Sequence, residues 1–122
     1  MPKDDLSGKK LDHISLSGAN LSDSDLSKSS LRRSHFEGAS LQDANLAESD
    51  LQGAHLNHAD VTGAILRNAD LTGADLRGVD LGRAASTEGA KLTDAKGASL
   101  EQAEQAAEDR VISVEWADDA DE

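Results

Sequence analysis

The sequence predicts an all-β solenoid, a rod in which the backbone turns a corner after each five-residue unit. Three observations predict it. Stepping by five from Leu6 to Leu81 meets 16 positions, of which 14 are Leu and the others Phe36 and Val61. Two residues before each centre, from position 19 to 79, stand eight Ala, four Ser and Val79. Aromatic content is 2%, with one Phe, one Trp and no Tyr, which suits a thin core of Leu and Ala rather than a thick one built on large rings.

The period excludes both regular elements. On an α-helix, five steps rotate a residue by about 140° from its predecessor, so the leucines would spiral around the rod. On a flat strand five is odd, and successive leucines would face opposite sides. A bend between units removes the difficulty, because each Leu then points inward from a new side. The small residue two positions earlier points inward too, by the alternation of a short strand, and stays small because Leu already fills the centre. The expected core is therefore Leu16, Leu21, Leu26, Leu31, Phe36, Leu41, Leu46, Leu51, Leu56, Val61, Leu66, Leu71, Leu76 and Leu81. Ser24, Ser29, Ser34 and Ser49 are inward substitutes for Ala, each able to bond a neighbouring carbonyl. The residue before each centre is usually polar, as at Asn20, Asp25, Asn45, Asp50 and Asp60. Gly18, Gly38, Gly53, Gly63, Gly73 and Gly78 fall two residues after a centre, where a corner with unusual backbone angles is expected.

Segments such as Ala69-Asp-Leu-Thr-Gly73, Ala74-Asp-Leu-Arg-Gly78 and Ala19-Asn-Leu-Ser-Asp23 resemble the A(D/N)LXX motif of the pentapeptide-repeat family, over about residues 14–83. The resemblance implies a right-handed quadrilateral β-helix of about four coils, with four units or 20 residues per coil, and a C-terminal capping α-helix. Residues 1–13 read as an irregular N-terminal coil or cap, since Asp4, Lys9 and Ile14 stand where small inward residues belong. Residues 14–98 form the repeat body. Leu92 lies eleven positions after Leu81, so one residue is inserted around Ala84–Gly89, and Ala90-Lys-Leu-Thr-Asp94 is a shifted repeat. Residues 99–122 make a terminal unit. Ser99-Leu-Glu-Gln102 is a capping box. Leu100, Ala103, Ala106 and Ala107 share one face of a helix expected over about 100–109. Ile112, Val114 and Trp116 alternate as one face of a short strand, a candidate dimer contact whose bland alternative is Trp116 packed on the cap helix. An acidic tail follows.

The net charge is −12, from 24 acids against 12 bases. That argues against direct nucleic-acid binding, which needs Lys and Arg on phosphate, and permits a basic partner. There are no cysteines, so disulfides and thiolate sites are excluded. No apolar run marks a secretory signal or a membrane span, and a cytoplasmic location is expected.

Residues 20 apart stack in a four-sided coil, which puts Ser15, His35, His55 and Asp75 in one column. Two imidazoles beside a carboxylate are a candidate divalent-metal set, but parallel outward side chains do not converge as tetrahedral ligands must. The favoured reading is a solvated polar ladder with no metal and no cofactor. His13 and His58 lie at corners. No G-x-S-x-G setting surrounds any serine, and the glycines recur every five residues rather than opening a helix as a phosphate loop does. A filled rod also lacks the roughly 300 Å³ cavity that small-ligand sites need. A non-enzyme is therefore expected: a structural or protein-interaction module presenting flat walls to an unidentified protein partner. The alternative is a DNA mimic that inhibits or protects DNA gyrase, because gyrase-protecting members of the family carry rows of acidic charge. The candidate acidic wall is Asp50, Asp60, Asp70 and Asp80. Residues 4–83 hold 13 acids and 8 bases, and 84–122 hold 11 and 3, so the repeat walls are only mildly acidic.

Overall fold

The computed structural model describes residues 3–97. In these residues each five-residue unit makes one corner and one short extended step. Around Leu51 the corner closes with the Ala54 amide donating to the Leu51 carbonyl at 3.0 Å. Gly53, the third residue of that turn, has φ +69°, the left-handed value that marks a type II geometry. The same position carries positive φ along the rod, in glycines and in non-glycines such as His13, Asp43 and Asn68.

Neighbouring coils run parallel. Bridges join residues 20 apart, as in Asp5↔Asp25, Asp25↔Asn45 and Asn45↔Ile65, and this offset makes each coil four units long and four-sided. Three of the four columns continue one layer further with an offset of 21, through Ile65↔Ser86, Asp70↔Lys91 and Asp75↔Lys96. The single-residue insertion expected around Ala84–Gly89 is present there. The Ala85 amide bonds the Ala64 carbonyl, and the Ser86 carbonyl accepts from Leu66, so two residues oppose Ile65 alone. Just before it, Leu81–Arg83 form a 3-10 turn whose Gly82 amide is held by the Asp80 carboxylate at 3.0 Å.

The expected core positions point inward. Leu21 to Leu81, with Phe36 and Val61, are at most 4% exposed, and Ser24, Ser29, Ser34 and Ser49 are buried beside the alanines. The hydroxyls of Ser29, Ser34 and Ser49 donate to the carbonyls of Leu26, Leu31 and Leu46, which removes the cost of burying them. Leu6, Leu11, Ile14 and Leu16 are only half-buried, because no coil lies on their outer side within the described residues.

The expectation of an irregular coil over 1–13 is corrected in the backbone. From residue 3 the ladder is already regular, with Leu6, Gly8, Leu11 and His13 donating to the next coil at 2.7–2.9 Å. Only the side chains depart from the pattern; inward-site Asp4 and Ile14 are half-buried, and Lys9 is exposed. The capping helix over 100–109 and the strand carrying Ile112, Val114 and Trp116 lie outside the described residues, as does the dimer contact assigned to them.

After the insertion the central position falls to Thr87, which takes the place of a leucine above Leu66 and is 1% exposed. Its Oγ1 is buried without a hydrogen-bond partner among the described residues. An unsatisfied buried hydroxyl costs about 1–3 kcal/mol. Thr87→Val keeps the shape and removes the hydroxyl, so thermal unfolding should show a melting temperature raised by several degrees, while Thr87→Ser should lower it. An unchanged or lower melting point for the valine variant would show that the hydroxyl is satisfied.

Candidate functional site

The rod offers four walls, each two side chains wide: the residue before each centre and the residue after it. The first wall carries Asp5, Asp25, Asn45, Ile65 and Ser86; the second Lys10, Ser30, Asp50, Asp70 and Lys91; the third Ser15, His35, His55, Asp75 and Lys96; the fourth Asn20, Ser40 and Asp60.

The acidic residues before the centres have a local role. In the unit around Leu51, the amides of Leu51, Gly53, Ala54 and His55 all donate to backbone carbonyls. The amide of Gln52 does not, and it donates instead to Asp50 Oδ1 at 3.2 Å. The same bond to the amide two residues on is made by Asp5, Asn20, Asp25, Asn45, Asp60, Asp70, Asp75 and Asp80. A buried or half-buried amide needs a partner, and a short Asx side chain supplies one. Where Ser or Thr follows the centre and Asp precedes it, the hydroxyl joins the same oxygen, as Thr62 does to Asp60 and Thr72 to Asp70, both at 2.6 Å. Hydrogen bonds from Thr62 and Gln42, led by the Thr62 hydroxyl, hold the Asp60 carboxyl below its usual range.

Of the acidic stacks expected from the 20-residue offset, Asp50 with Asp70 is present and Asp60 with Asp80 is not. Asp50 and Asp70 share the second wall, whereas Asp60 lies on the fourth, half a coil away and therefore opposite. Asp80, the fourth member, does not bridge Asp60; it caps the 3-10 turn. The second wall is also interrupted by cations. Arg32 Nε meets Asp50 Oδ2 at 2.6 Å, and Lys91 bridges next to Asp70. A surface depression of about 470 Å³ lies on this wall and its adjoining corner, lined by Asp12, His13, Arg32, Arg33, Gln52, Gly53 and Thr72. It is outside the core, which remains filled.

The third wall holds the column Ser15, His35, His55 and Asp75 as the spacing predicts. The His35 and His55 rings stack with centroids 4.5 Å apart and planes 7° from parallel. Asp75 is buried and gripped by Arg77 through bonds of 2.9 and 2.6 Å, and the Arg77 side chain, first of several influences, holds its carboxyl low. The sequence reading missed Glu37. It follows Phe36, so it sits on the same wall as His35, and the i, i+2 spacing was the signal. His35 Nδ1 lies 3.1 Å from Glu37 Oε2, and Ser17 Oγ donates to Glu37 Oε1 at 2.8 Å. Desolvation opposes ionisation of Glu37, but the bonds from His35 and Ser17 outweigh it and bring the carboxyl down to about 2. His13 and His58 sit at corners with positive φ, one at each edge of this wall and on different coils.

The family model described as pentapeptide repeats (8 copies) matches residues 14–53 and 44–83. A comparison with curated protein sequences gives no match. Among solved structures, the pentapeptide repeat protein Rfr23 from the cyanobacterium Cyanothece 51142 is similar at 26% identity and a TM-score of 0.54, over 96% of this chain and 86% of that one. A pentapeptide repeat protein from the Arabidopsis thaliana thylakoid lumen is 28% identical over 84% of this chain and 77% of its own, with a TM-score of 0.49. QnrB1, a plasmid-mediated fluoroquinolone resistance protein, is 20% identical with a TM-score of 0.61 over 82% of this chain and 58% of its own, a likeness of fold. Among the described residues, no helix is long and apolar enough to cross a membrane.

Two substitutions separate hydrogen bonding from charge. Asp70→Ala should lower stability by about 1 kcal/mol in denaturant unfolding, because the Thr72 amide and hydroxyl lose their acceptor, whereas Asp70→Asn should stay within about 0.5 kcal/mol of the parent. Equal losses in both would make the charge, not the bond, the cause. A third variant tests the pH dependence. The folded carboxyl of Asp75 titrates below its ordinary 3.8, so its contribution is fully present above that value and is lost as pH falls through the lower folded value. Asp75→Asn should therefore be less stable than the parent at pH 7, and the gap should close as the solution is acidified below about pH 4. A gap independent of pH would rule out the Arg77 pairing as its source.

Proposed function

The chain belongs to the pentapeptide-repeat family, whose known structures are right-handed quadrilateral β-helices, and we propose that it is a non-catalytic interaction module that binds a protein partner through an outer wall. One observation carries this reading: among the described residues the interior is occupied by Leu, Ala and Ser side chains with Phe36, Val61, Val79 and Thr87, which leaves the walls for recognition there. The second wall is the best supported of the four. It carries a surface depression, and it mixes both signs of charge in Asp12, Arg32, Asp50, Asp70 and Lys91 beside Arg33 and His13. Alternating charge of this kind favours a polar protein surface over a polyanion or a purely basic segment. In this reading residues 99–122 close the far end of the rod, and the protein works without cofactor in an aqueous compartment.

The gyrase-directed alternative draws little from the same features. A DNA mimic needs a continuous acidic stripe, and Asp50 and Asp70 face away from Asp60, with Arg32 among them. The likeness to QnrB1 is one of fold.

The test is capture of partners from the native host with the parent chain and with an Arg32→Glu, Arg33→Glu variant. A protein retained by the parent and by an Asn57→Ala third-wall control, but lost with the double variant, is the expected result. Loss only with third-wall substitutions would move the interface. In a gyrase supercoiling assay the purified chain should be without effect; sub-micromolar inhibition abolished by Asp→Asn changes at 50, 60, 70 and 80 would replace this reading with mimicry.

A further inference from the structure

The Asx positions of the rod are explained by the amide two residues on. His35 and His55 occupy two of those positions, and among the described residues neither ring bonds that amide. The coil does not require an acceptor at every one of these positions, since Lys10 and Ile65 also stand at them, and it leaves the two rings for another use. What they do instead is stand one above the other on neighbouring coils, fixed by the His35↔His55 bridge, with Glu37 beside them. One donor atom from each of the three residues lies within 4.8 Å of the others.

We propose that His35, Glu37 and His55 form a surface site for a late first-row divalent cation such as zinc. The carboxylate is already oriented: Ser17 Oγ holds Glu37 Oε1 at 2.8 Å, which leaves Oε2 toward the imidazoles, 3.1 Å from His35 Nδ1. Such outer bonds are what fix ligands around a metal. Zinc takes nitrogen and carboxylate oxygen at about 2.0–2.2 Å in a tetrahedron, so its donors stand roughly 3.3–3.5 Å from one another. The Glu37–His35 pair, 3.1 Å apart, needs to open only slightly to reach that spacing. The stacked rings do not, because parallel imidazoles send their lone pairs in parallel. Turning the rings about their side-chain bonds brings the nitrogens together, and the wall allows it; the His35 side chain is 43% exposed. Water fills the fourth position. Asp75, next in the column, is engaged by Arg77 and stays outside the set. Two imidazoles with one carboxylate favour zinc, nickel or copper over magnesium and calcium, which prefer all-oxygen shells. The site lies on the third wall, apart from the second-wall interface proposed above, and stands or falls independently of it.

The test is titration of the full chain, free of any histidine tag, with zinc chloride by isothermal calorimetry in a non-chelating buffer. One equivalent should bind, with a dissociation constant in the micromolar range. His35→Gln and His55→Gln should each weaken binding by about 10-fold or more, and Glu37→Gln by a smaller factor. The His13→Gln, His58→Gln double variant should bind as the parent does. NMR of the unmodified protein gives a check that needs no variant: zinc should move the imidazole resonances of two of the four histidines. No saturable binding up to about 1 mM zinc, binding indifferent to His35 and His55, or resonance shifts confined to His13 and His58 would each overturn the proposal.

Discussion

A backbone held at positive φ once in every five residues is the constraint from which the rest of this rod follows. It lets the chain turn sharply enough for four units to close a coil, and it fixes which side chains look inward. Among the described residues ten of these corners are not glycine: Lys3, His13, Asp23, Lys28, Arg33, Asp43, Glu48, His58, Asn68 and Asp94. Six are Asp, Asn or His, the types that tolerate the left-handed region best, and none is β-branched. Each such residue costs on the order of 1–2 kcal/mol, so the conformation persists only because the coils on either side over-determine it. The parallel ladder and the central Leu column supply that determination together.

The second requirement follows from the first. A corner of this kind leaves one amide per unit, that of the residue after the centre, without a backbone acceptor. In nine of the described units Asp or Asn supplies it from two residues back, and for Arg32 Asp12 supplies it from the neighbouring coil. Much of the negative charge on the walls is thus a by-product of hydrogen bonding, distributed around all four sides by the period. An acidic composition and a functional acidic surface are different things here. Asp50 and Asp60 are ten residues apart in sequence, and ten residues carry the chain halfway around the coil.

Most of the core was legible from spacing alone, because Leu at every fifth position and Ala two before it admit one arrangement. The inward serines were legible for the same reason, and the insertion near Ala85 could be counted from the gap between Leu81 and Leu92. What could not be read was anything set by three-dimensional neighbours across coils. The regularity of the first coil was hidden because Asp4, Lys9 and Ile14 break the side-chain pattern while their backbone keeps the ladder. The third-wall cluster was half legible. The column of His35 and His55 followed from the 20-residue offset, but Glu37 entered only once the residue after the centre was placed on the same wall as the residue before it.

The same accounting locates where this chain has freedom to differ from others built the same way. The centre and the small residue before it are held by the core. The corner residue is held by its backbone angle, and the residue before the centre, where it is Asp or Asn, by the amide it satisfies. The residue after the centre carries none of these duties. Its side chain is polar or charged at Asp12, Arg32, Gln52, Glu37, Asn57 and Arg77, and these residues make the contacts that distinguish one wall from another: Arg32 with Asp50, Glu37 with Ser17 and His35, Arg77 with Asp75. The character of a wall is therefore set largely at that position, joined by the residue before the centre wherever, as at His35 and His55, that residue does not serve the amide.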